Sequence, residues 1–243
     1  MKYVLIIGAR SDLGREIARL FAGNGFGVYL AARQSAGLAA ECEHLKIRYG
    51  VQAKTVECDL RDFSSHAPLY GSLHPKPEGA VCVVGYLGSE DKAKTDFTEA
   101  RQIMETNFVG CVSILNAVAE DFEKRGEGFI IGVSSVAGDR GRRKTCIYGS
   151  AKAGFTAYLS GLRNRLHRHG VRVLTVKPGW MDTKMTEGMN LPPLFTAQPE
   201  DAARDVFRAW QKGKDVVYTK WMWRYIMWVI VHIPERIFKK MDL

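Results

Sequence analysis

Two side chains four residues apart, Tyr148 and Lys152, are the pair in this sequence best suited to chemistry. On a helix this spacing places the phenol and the ammonium on one face, where both can reach the same substrate. A phenol has an unperturbed pKa of about 10, and a neighbouring ammonium favours its phenolate form. Ser135 lies upstream, and its hydroxyl can bond the oxygen that gains or loses the proton. The set suits carbonyl–alcohol interconversion, and because it holds no hydride, a cofactor must supply one.

A glycine turn near the N-terminus is suited to bind that cofactor. The apolar run at residues 3–7 predicts a buried parallel strand, and a helical pattern begins beyond residue 14. Between them lies Gly8-Ala9-Arg10-Ser11-Asp12-Leu13-Gly14. A strand, a glycine turn and a helix in this order place a pyrophosphate at the N-terminus of the helix.

Strand and helix patterns alternate along the chain without internal repeats. Further strands are predicted at residues 26–32, 51–58, 79–84, 129–134, 171–177 and 215–218. Further helices are predicted at residues 37–49, 62–73, 97–124, 147–169 and 199–211, the third with Gly110 inside it. The alternation predicts a single-domain α/β Rossmann fold, doubly wound, with a mostly parallel seven-stranded sheet and helices on both faces. We expect residues 1–220 to form this domain and residues 221–243 to extend it as an apolar and basic helical tail.

Taken together, these motifs resemble the short-chain dehydrogenase/reductase family over nearly the whole chain. Gly8 and Gly14 match the first and last glycines of its glycine motif, Asp59-Leu60 its adenine contact, and Pro178-Gly179 with Thr183 its nicotinamide segment. The resemblance implies the catalytic set Asn107, Ser135, Tyr148 and Lys152. With the turn residues and two arginines discussed below, the predicted cofactor-binding set is Gly8, Arg10, Ser11, Asp12, Leu13, Gly14, Arg33, Asp59, Leu60, Gly85, Tyr148, Lys152, Pro178, Gly179 and Thr183.

The resemblance also implies a role for each catalytic side chain. Tyr148 is the acid–base group and Ser135 orients the carbonyl. Lys152 activates the tyrosine and holds the ribose, while Asn107 anchors a water molecule in the proton relay.

Two departures from the family pattern stand out. Asp12 occupies the position of the middle glycine of the motif, and we expect its carboxylate to cap the helix that begins there. Val84-Gly85-Tyr86-Leu87-Gly88 replaces the usual Asn-Asn-Ala-Gly. This leaves open how side chains brace the segment, although Gly85 still allows close backbone approach.

A closer likeness is to the decaprenylphosphoryl-2-keto-pentose reductase branch of the family. It is carried by Gly141-Arg142-Arg143, by residues 148–154 and by residues 224–238 of the tail. It implies reduction of a 2-keto pentose on a polyprenyl phosphate to the arabinose derivative, with a flavin-dependent oxidase as partner. The alternatives are a 3-oxoacyl or other small-ketone reductase, and a non-catalytic dinucleotide-sensing module.

Arginines suggest which phosphates the site binds. An acidic residue after the second strand favours NAD, whereas arginine accommodates the 2′-phosphate of NADP. Here Arg33 follows that strand and Arg10 lies in the glycine turn, so we expect NADP(H), with NAD(H) as the alternative. Arg140, Arg142 and Arg143 lie between Ser135 and Tyr148 and can grip a substrate phosphate, unless this is an ordinary exposed loop.

Composition narrows the partners. The chain has 243 residues and a net charge of +9, yet no nucleic-acid recognition motif, so we expect no nucleic-acid partner. The five cysteines show no metal-ligand spacing, so no metal is expected. No basic segment followed by an apolar stretch opens the chain, and we expect a cytoplasmic protein.

The tail differs in character from the rest of the chain. Residues 221–233 are almost wholly apolar and aromatic, but a bilayer-spanning helix needs about 20 such residues. Tryptophans flanked by Lys and Arg suit a membrane interface, so we expect peripheral association with the inner face of the cytoplasmic membrane. A helix docked on the core or a dimer interface is the alternative, and we expect a homo-oligomer.

Overall fold

Strands and helices alternate through most of the chain in the computed structural model, which describes residues 1–242. The strands are β1 (Tyr3–Ile7), β2 (Gly27–Ala32), β3 (Ala53–Glu57), β4 (Gly79–Cys82), β5 (Phe129–Val133), β6 (Arg172–Pro178) and β7 (Val216–Thr219). The helices are α1 (Asp12–Gly23), α2 (Ala39–Tyr49), α3 (His66–Ser72), α4 (Glu90–Ala93), α5 (Phe97–Met104), α6 (Gly110–Arg125), α7 (Cys146–His167), α8 (Pro199–Gln211), α9 (Met222–His232) and α10 (Glu235–Phe238).

The strands form one seven-stranded sheet in the order β3-β2-β1-β4-β5-β6-β7. Every neighbouring pair is parallel, so the predicted Rossmann fold is confirmed. The strand order reverses between β1 and β4, and in such sheets a crevice opens at the carboxyl ends of the strands beside this switch point.

Strand β1 shows how the sheet is held between two layers of helices. Val4 and Ile6 join the core on one face, with side chains of α1 and α8. Leu5 and Ile7 join the core on the other face, with side chains of α6 and α7. All four are at most 1% exposed, and burying each apolar side chain contributes about 1.5–3 kcal/mol. A strand buried on both faces reads as the continuous apolar run seen in the sequence.

The predicted long helix at residues 97–124 is divided into three segments. A π-helical turn, Glu105–Val109, separates α5 from α6. Gly110 begins α6, and a Cβ atom there would lie 2.1 Å from the carbonyl oxygen of Leu60. The absence of a side chain therefore lets α6 approach the segment that follows β3.

Most other boundaries differ from the predicted ones by one or two residues. Residues Ser35–Leu38 form a 3₁₀ turn, so the helix predicted from residue 37 becomes α-helical at Ala39. The ladder of β4 ends at Cys82, two residues earlier than expected. Helix and strand ends are the least regular parts of an element, which accounts for such shifts.

The tail forms α9 and α10, and α9 has two distinct faces. Trp223 and Met227 are buried at 3% and 1% exposure, whereas Trp221, Tyr225 and Trp228 are 71%, 62% and 64% exposed. Among residues 1–242, no helix combines the length and apolarity required to cross a bilayer. One face of the tail therefore docks on the core and the other remains open.

Gly110→Ala tests the close approach of α6. The added methyl group meets backbone, so we expect the free energy of unfolding to fall by about 1–3 kcal/mol, despite the better helix propensity of Ala. Gly161→Ala in α7 is the matched control, because a Cβ there meets nothing within 4 Å. The control should stabilise the protein by up to about 1 kcal/mol. Urea unfolding measures the free energy of unfolding of both variants. An equal increase in both would refute the packing argument.

Candidate active site

Ser135, Tyr148 and Lys152 all line one cleft at the carboxyl ends of the strands. Ser135 follows β5 in extended backbone, and its Oγ accepts a hydrogen bond from the Ala137 N–H at 3.1 Å. Tyr148 lies in the first turn of α7, and Lys152 follows one turn later. The fold thus brings a hydroxyl, a phenol and an ammonium from two elements to one site.

Lys152 is a buried cation held by backbone carbonyls. It is 1% exposed, and its Nζ donates hydrogen bonds to the oxygens of Val84 at 2.8 Å and Val133 at 3.1 Å. Nζ lies 5.9 Å from the centre of the Tyr148 ring. No carboxylate pairs with this ammonium within residues 1–242. Its charge is therefore available to favour an anion in the cleft.

Asn107 acts on the segment after β4 rather than lining the cleft. It sits in the π-helical turn and is fully buried. Its Oδ1 accepts from the Tyr86 N–H at 3.0 Å, and its Nδ2 donates to the oxygens of Tyr86 at 2.7 Å and Ile103 at 2.8 Å. Its carboxamide thus fixes the backbone next to Gly85, while its role in a proton relay stays a prediction.

Glu99 is a second brace of this segment, and the sequence did not reveal it. Its Oε1 accepts from the Tyr86 hydroxyl at 2.9 Å and from the Ser89 N–H at 3.1 Å. These bonds, led by that from Ser89, lower the pKa of Glu99 below its ordinary value. Residues 84–88 lack the asparagines usual in the family, and hydrogen bonds with Asn107 and Glu99 hold this segment instead. Gly85 lines the cleft, as the sequence predicts.

The glycine turn is shaped by two close approaches. Gly8 has φ +90°, and a Cβ there would lie 2.6 Å from the oxygen of Val83. A Cβ on Gly14 would lie 2.7 Å from the oxygen of Gly8, so Gly14 packs behind the turn. Ser11 caps α1, because its Oγ accepts from the Gly14 N–H at 3.1 Å and donates to the Gly8 oxygen at 2.8 Å. Leu13 anchors the turn in the core at 3% exposure.

Asp12 does not cap α1, contrary to our expectation. Ser11 takes that position, and Asp12 is the first residue of the helix. Its Oδ2 accepts a hydrogen bond from the Lys184 N–H at 3.0 Å, across the cleft. The carboxylate therefore joins the glycine turn to the segment that follows β6.

The end of β2 carries both positive and negative charge. Arg10 Nη1 donates to Gln34 Oε1 at 2.9 Å and to the oxygen of Arg33 at 3.3 Å. Glu57 reaches the same corner from β3, accepting from the N–H groups of Gln34 at 2.7 Å and Ser35 at 2.8 Å. These bonds, led by that of Ser35, lower its pKa. The sequence pattern of β2 alone showed no carboxylate there, because Glu57 arrives through strand register.

Asp59 and Leu60 line the same part of the cleft, just after β3. Asp59 Oδ1 accepts from the Arg61 N–H at 3.0 Å, and His66 Nε2 lies 3.0 Å from the Asp59 carbonyl oxygen. His66 is 1% exposed, so the backbone at Asp59 is held from inside the protein.

The opposite end of the cleft is formed by Pro178, Gly179 and Thr183. A Cβ on Gly179 would lie 2.0 Å from an indole carbon of Trp223, so the tail packs directly against this glycine. Thr183 and Thr186 form a capping box around a short 3₁₀ turn, Lys184–Thr186. The tail is thus part of the wall that supports this end.

Arg140, predicted to bind a substrate phosphate, is instead committed to the tail. Its Nη1 donates to the oxygens of Ile230 at 2.7 Å and Ile233 at 2.6 Å, and its Nη2 to Glu235 at 2.9 Å. Its guanidinium also lies 3.7 Å from the centre of the Phe238 ring. The structure therefore makes Arg140 the cap of α9, because unpaired carbonyls at a helix end attract a cation.

Arg142 and Arg143 lie differently from one another. Arg142 lines the cleft, and its Nη2 contacts Met227 Sδ at 3.2 Å and the Val136 oxygen at 3.4 Å. Arg143 does not line the cleft, and its Nη2 lies 3.4 Å from Asp242 Oδ1. Of the three arginines, only Arg142 lines the cleft.

The cleft fits a dinucleotide. Its volume of about 670 Å³ is in the range of ligand-binding cavities. The glycine turn leads into the N-terminus of α1, which favours a pyrophosphate. The predicted site residues along its wall are Gly8, Arg10, Ser11, Asp12, Leu13, Arg33, Asp59, Leu60, Gly85, Ser135, Arg142, Tyr148, Lys152, Pro178, Gly179 and Thr183. The predicted residues outside the wall are Gly14, Asn107, Arg140 and Arg143.

Comparison with known proteins shows which family the chain belongs to. The model of the family described as short chain dehydrogenase matches residues 2–192. The chain belongs to the short-chain dehydrogenase/reductase family. An uncharacterized oxidoreductase of Mycobacterium tuberculosis is 38% identical over 241 residues, covering 98% of this chain and 96% of that relative.

Solved structures show the same fold. A short-chain dehydrogenase from Sphingobium yanoikuyae in complex with NADPH has a TM-score of 0.85 at 21% identity and covers 97% of both chains. An actinorhodin polyketide ketoreductase variant with NADPH has a TM-score of 0.79 at 23% identity, covering 89% of this chain and 95% of that one. As a member of the family, this short-chain dehydrogenase/reductase is an oxidoreductase, and the non-catalytic alternative is set aside.

Arg33→Ala tests the corner at β2. Loss of a charged bond to a 2′-phosphate costs about 1.5–3 kcal/mol, so the NADPH dissociation constant should rise roughly 10- to 150-fold. The NADH dissociation constant should change by less than about threefold, because NADH lacks this phosphate. Fluorescence titration with both cofactors measures the ratio. Arg48→Ala, an exposed arginine on α2, is the control. Equal losses for both cofactors would contradict a role in reading the 2′ position.

Proposed function

We propose that this enzyme uses NADPH to reduce the keto group of a lipid-linked sugar phosphate. The most specific form of the proposal converts a polyprenylphosphoryl 2-keto pentose to polyprenylphosphoryl arabinose. Arg10 and Arg33 support NADPH through their positions at the end of β2. The NADPH held by solved structures of the same fold agrees with that choice. The observation that carries the substrate class is a half-buried arginine, Arg142, whose Nε is buried without a hydrogen-bond partner.

Arg142 is a cation in the cleft whose hydrogen-bonding capacity is only partly used by its Nη2 contacts. Its Nε and the Oγ1 of Thr145 are buried without hydrogen-bond partners among residues 1–242, and both residues line the cleft. Burial lowers the pKa of Arg142, because a desolvated guanidinium loses the stabilisation that water gives its charge. A substrate phosphate would supply both the missing charge and the missing acceptor. Arg142 and Tyr148 share the cleft, so an anion and a reducible carbonyl can belong to one ligand.

The side chains divide the chemistry among them. The bound cofactor supplies the hydride to the carbonyl carbon. Tyr148 donates its hydroxyl proton to the carbonyl oxygen, and Ser135 donates a hydrogen bond to the same oxygen. Lys152 stabilises the phenolate that remains, because its ammonium is fixed on the oxygens of Val84 and Val133 and cannot turn away.

A lipid-linked substrate lies in a membrane, and the outer face of the tail is suited to contact one. Trp221, Tyr225 and Trp228 are exposed there, and such rings settle at the headgroup level of a bilayer. The tail also carries exposed basic residues: Arg224, Arg236, Lys239 and Lys240. On the inner face of the same helix, Met227 contacts Arg142 at 3.2 Å. A bilayer on the outer face would therefore lie beside the anion-binding end of the cleft, which supports peripheral association with the inner face of the cytoplasmic membrane.

The chemistry of the substrate implies a partner reaction. A 2-keto sugar arises by oxidation of a hydroxyl group, so a separate oxidase must precede this reductase. We propose a flavin-dependent enzyme for that step. A homo-oligomer stays a prediction.

A second candidate is a reductase of 3-oxoacyl or other small ketones. It is favoured by the fold likeness to a 3-oxoacyl-[acyl-carrier protein] reductase of Brucella melitensis, with a TM-score of 0.78 at 22% identity. Such substrates make no use of the outer face of the tail. Turnover measured in parallel on a neutral soluble ketone and on a lipid-phosphate ketone separates the two candidates.

Arg142→Ala tests the anion site. Loss of a charge-assisted bond costs about 1.5–3 kcal/mol, so KM for a polyprenylphosphoryl 2-keto pentose should rise roughly 10- to 150-fold. The kcat/KM for a neutral ketone should fall far less. Arg143→Ala, whose partner is Asp242 outside the cleft, is the matched control. Tyr148→Phe supplies the inactive reference. Equal losses of Arg142→Ala on both substrates would refute phosphate binding.

Trp228→Ser tests the outer face of the tail. Trp223 is unsuitable for this purpose, because it is buried against the core and its Nε1 donates to the Phe195 oxygen at 2.9 Å. Removing the exposed ring should weaken co-sedimentation with anionic liposomes without lowering the melting temperature. Binding should also weaken as salt rises, because each basic residue near the surface contributes about 1 kcal/mol.

Ile47→Ser is the control for this liposome experiment. Ile47 is 84% exposed on α2, away from the tail, so its loss should leave binding unchanged. If Trp228→Ser binds liposomes normally but loses an oligomer in light scattering, the outer face is a protein interface.

A further inference from the structure

A short segment bridges the two halves of the cofactor cleft. We call residues 183–186 the strap; it contains the 3₁₀ turn Lys184–Thr186 and lines the cleft. Within the strap, the Lys184 N–H donates to Asp12 Oδ2 at 3.0 Å. The methyl group of the next residue, Met185, lies 2.7 Å from the position that a Cβ on Gly85 would occupy. The strap thus contacts the segment after β1 and the segment after β4, on both sides of the topological switch point.

Hydrogen bonds within the strap and to its neighbours hold its conformation. The Thr183 N–H donates to Thr186 Oγ1 at 3.2 Å, and Thr186 Oγ1 donates to the Met181 oxygen at 2.5 Å. The Asp182 N–H donates to the Ala197 oxygen at 2.9 Å. Because these bonds tie the strap to its own neighbourhood, the bond to Asp12 is the hydrogen bond that joins it to the glycine turn within residues 1–242.

The negative charge of Asp12 is unfavourable for binding a pyrophosphate at this position. It lies in the first turn of α1, at the helix end that favours a pyrophosphate. A carboxylate and a pyrophosphate that share this helix end would repel each other, and the cleft walls reduce the screening by water. A residue that opposes cofactor binding through its charge needs a compensating role, and its bond to the strap provides one.

We propose that Asp12 is a positioning residue that latches the strap across bound NADP(H). The latch slows release of the cofactor, while the charge of the carboxylate weakens the initial attraction. The two effects come from different properties of one side chain, namely its acceptor oxygen and its charge. This inference goes beyond the proposed function, because it holds for any ketone that the enzyme reduces.

Two substitutions separate the effects. Asp12→Asn removes the charge but keeps an acceptor oxygen, whereas Asp12→Ala removes both. We expect Asp12→Asn to bind NADPH at least roughly threefold more tightly than the natural protein, through relief of repulsion. We expect Asp12→Ala to release NADPH roughly fivefold faster than Asp12→Asn, through loss of one hydrogen bond at equal charge. Stopped-flow fluorescence with NADPH alone gives both rate constants without turnover.

The comparison has clear opposing outcomes. Equal release rates for Asp12→Asn and Asp12→Ala would overturn the latch, and weaker binding by Asp12→Asn would overturn the repulsion. Equal melting temperatures of the two variants exclude a difference in folding, since both remove the same charge from α1. Met185→Ala tests the contact of the strap with Gly85 without changing any charge, and it should also accelerate release. An unchanged release rate there would contradict the bridging role of the strap.

Discussion

The buried ammonium of Lys152 is the constraint on which the rest of the site depends. A cation removed from water is costly, by several kcal/mol, unless polar groups surround it. The oxygens of Val84 and Val133 serve that purpose, and they are in place only because β4 and β5 run parallel and end side by side. Asn107 then holds the chain that leaves β4, so the backbone beside Val84 cannot drift. The sheet, the helix and the π-helical turn together hold one ammonium in place, and that ammonium lies beside the ring of Tyr148.

The loop before α7 performs two tasks with residues of one type. Arg140 satisfies the carbonyl end of α9, whereas Arg142 keeps unused hydrogen-bonding capacity in the cleft. Only two positions separate them, and the sequence offers no distinction between them. The distinction is made by the tail, which supplies acceptors to one guanidinium and the sulfur of Met227 to the other.

What the sequence could predict follows from the range of each interaction. The alternating elements and the spacing of Tyr148 and Lys152 are local patterns, and the fold preserves them. Glu57 was missed because its place beside Gln34 depends on the register of β3 against β2, which no single strand encodes. Asp12 was assigned a local capping role, but its partner lies 172 residues further along the chain. Propensity describes neighbours in sequence, and these contacts belong to neighbours in space.

The contact between Gly179 and Trp223 sets a rule for recombination. The indole fills the volume that any side chain at position 179 would need, with 2.0 Å separating one of its carbons from an added Cβ. A hybrid that grafts this tail onto a scaffold carrying a larger residue at that position would be mismatched at the join. Position 179 and the tail helix that carries Trp223 must therefore be exchanged together, although some forty residues lie between them.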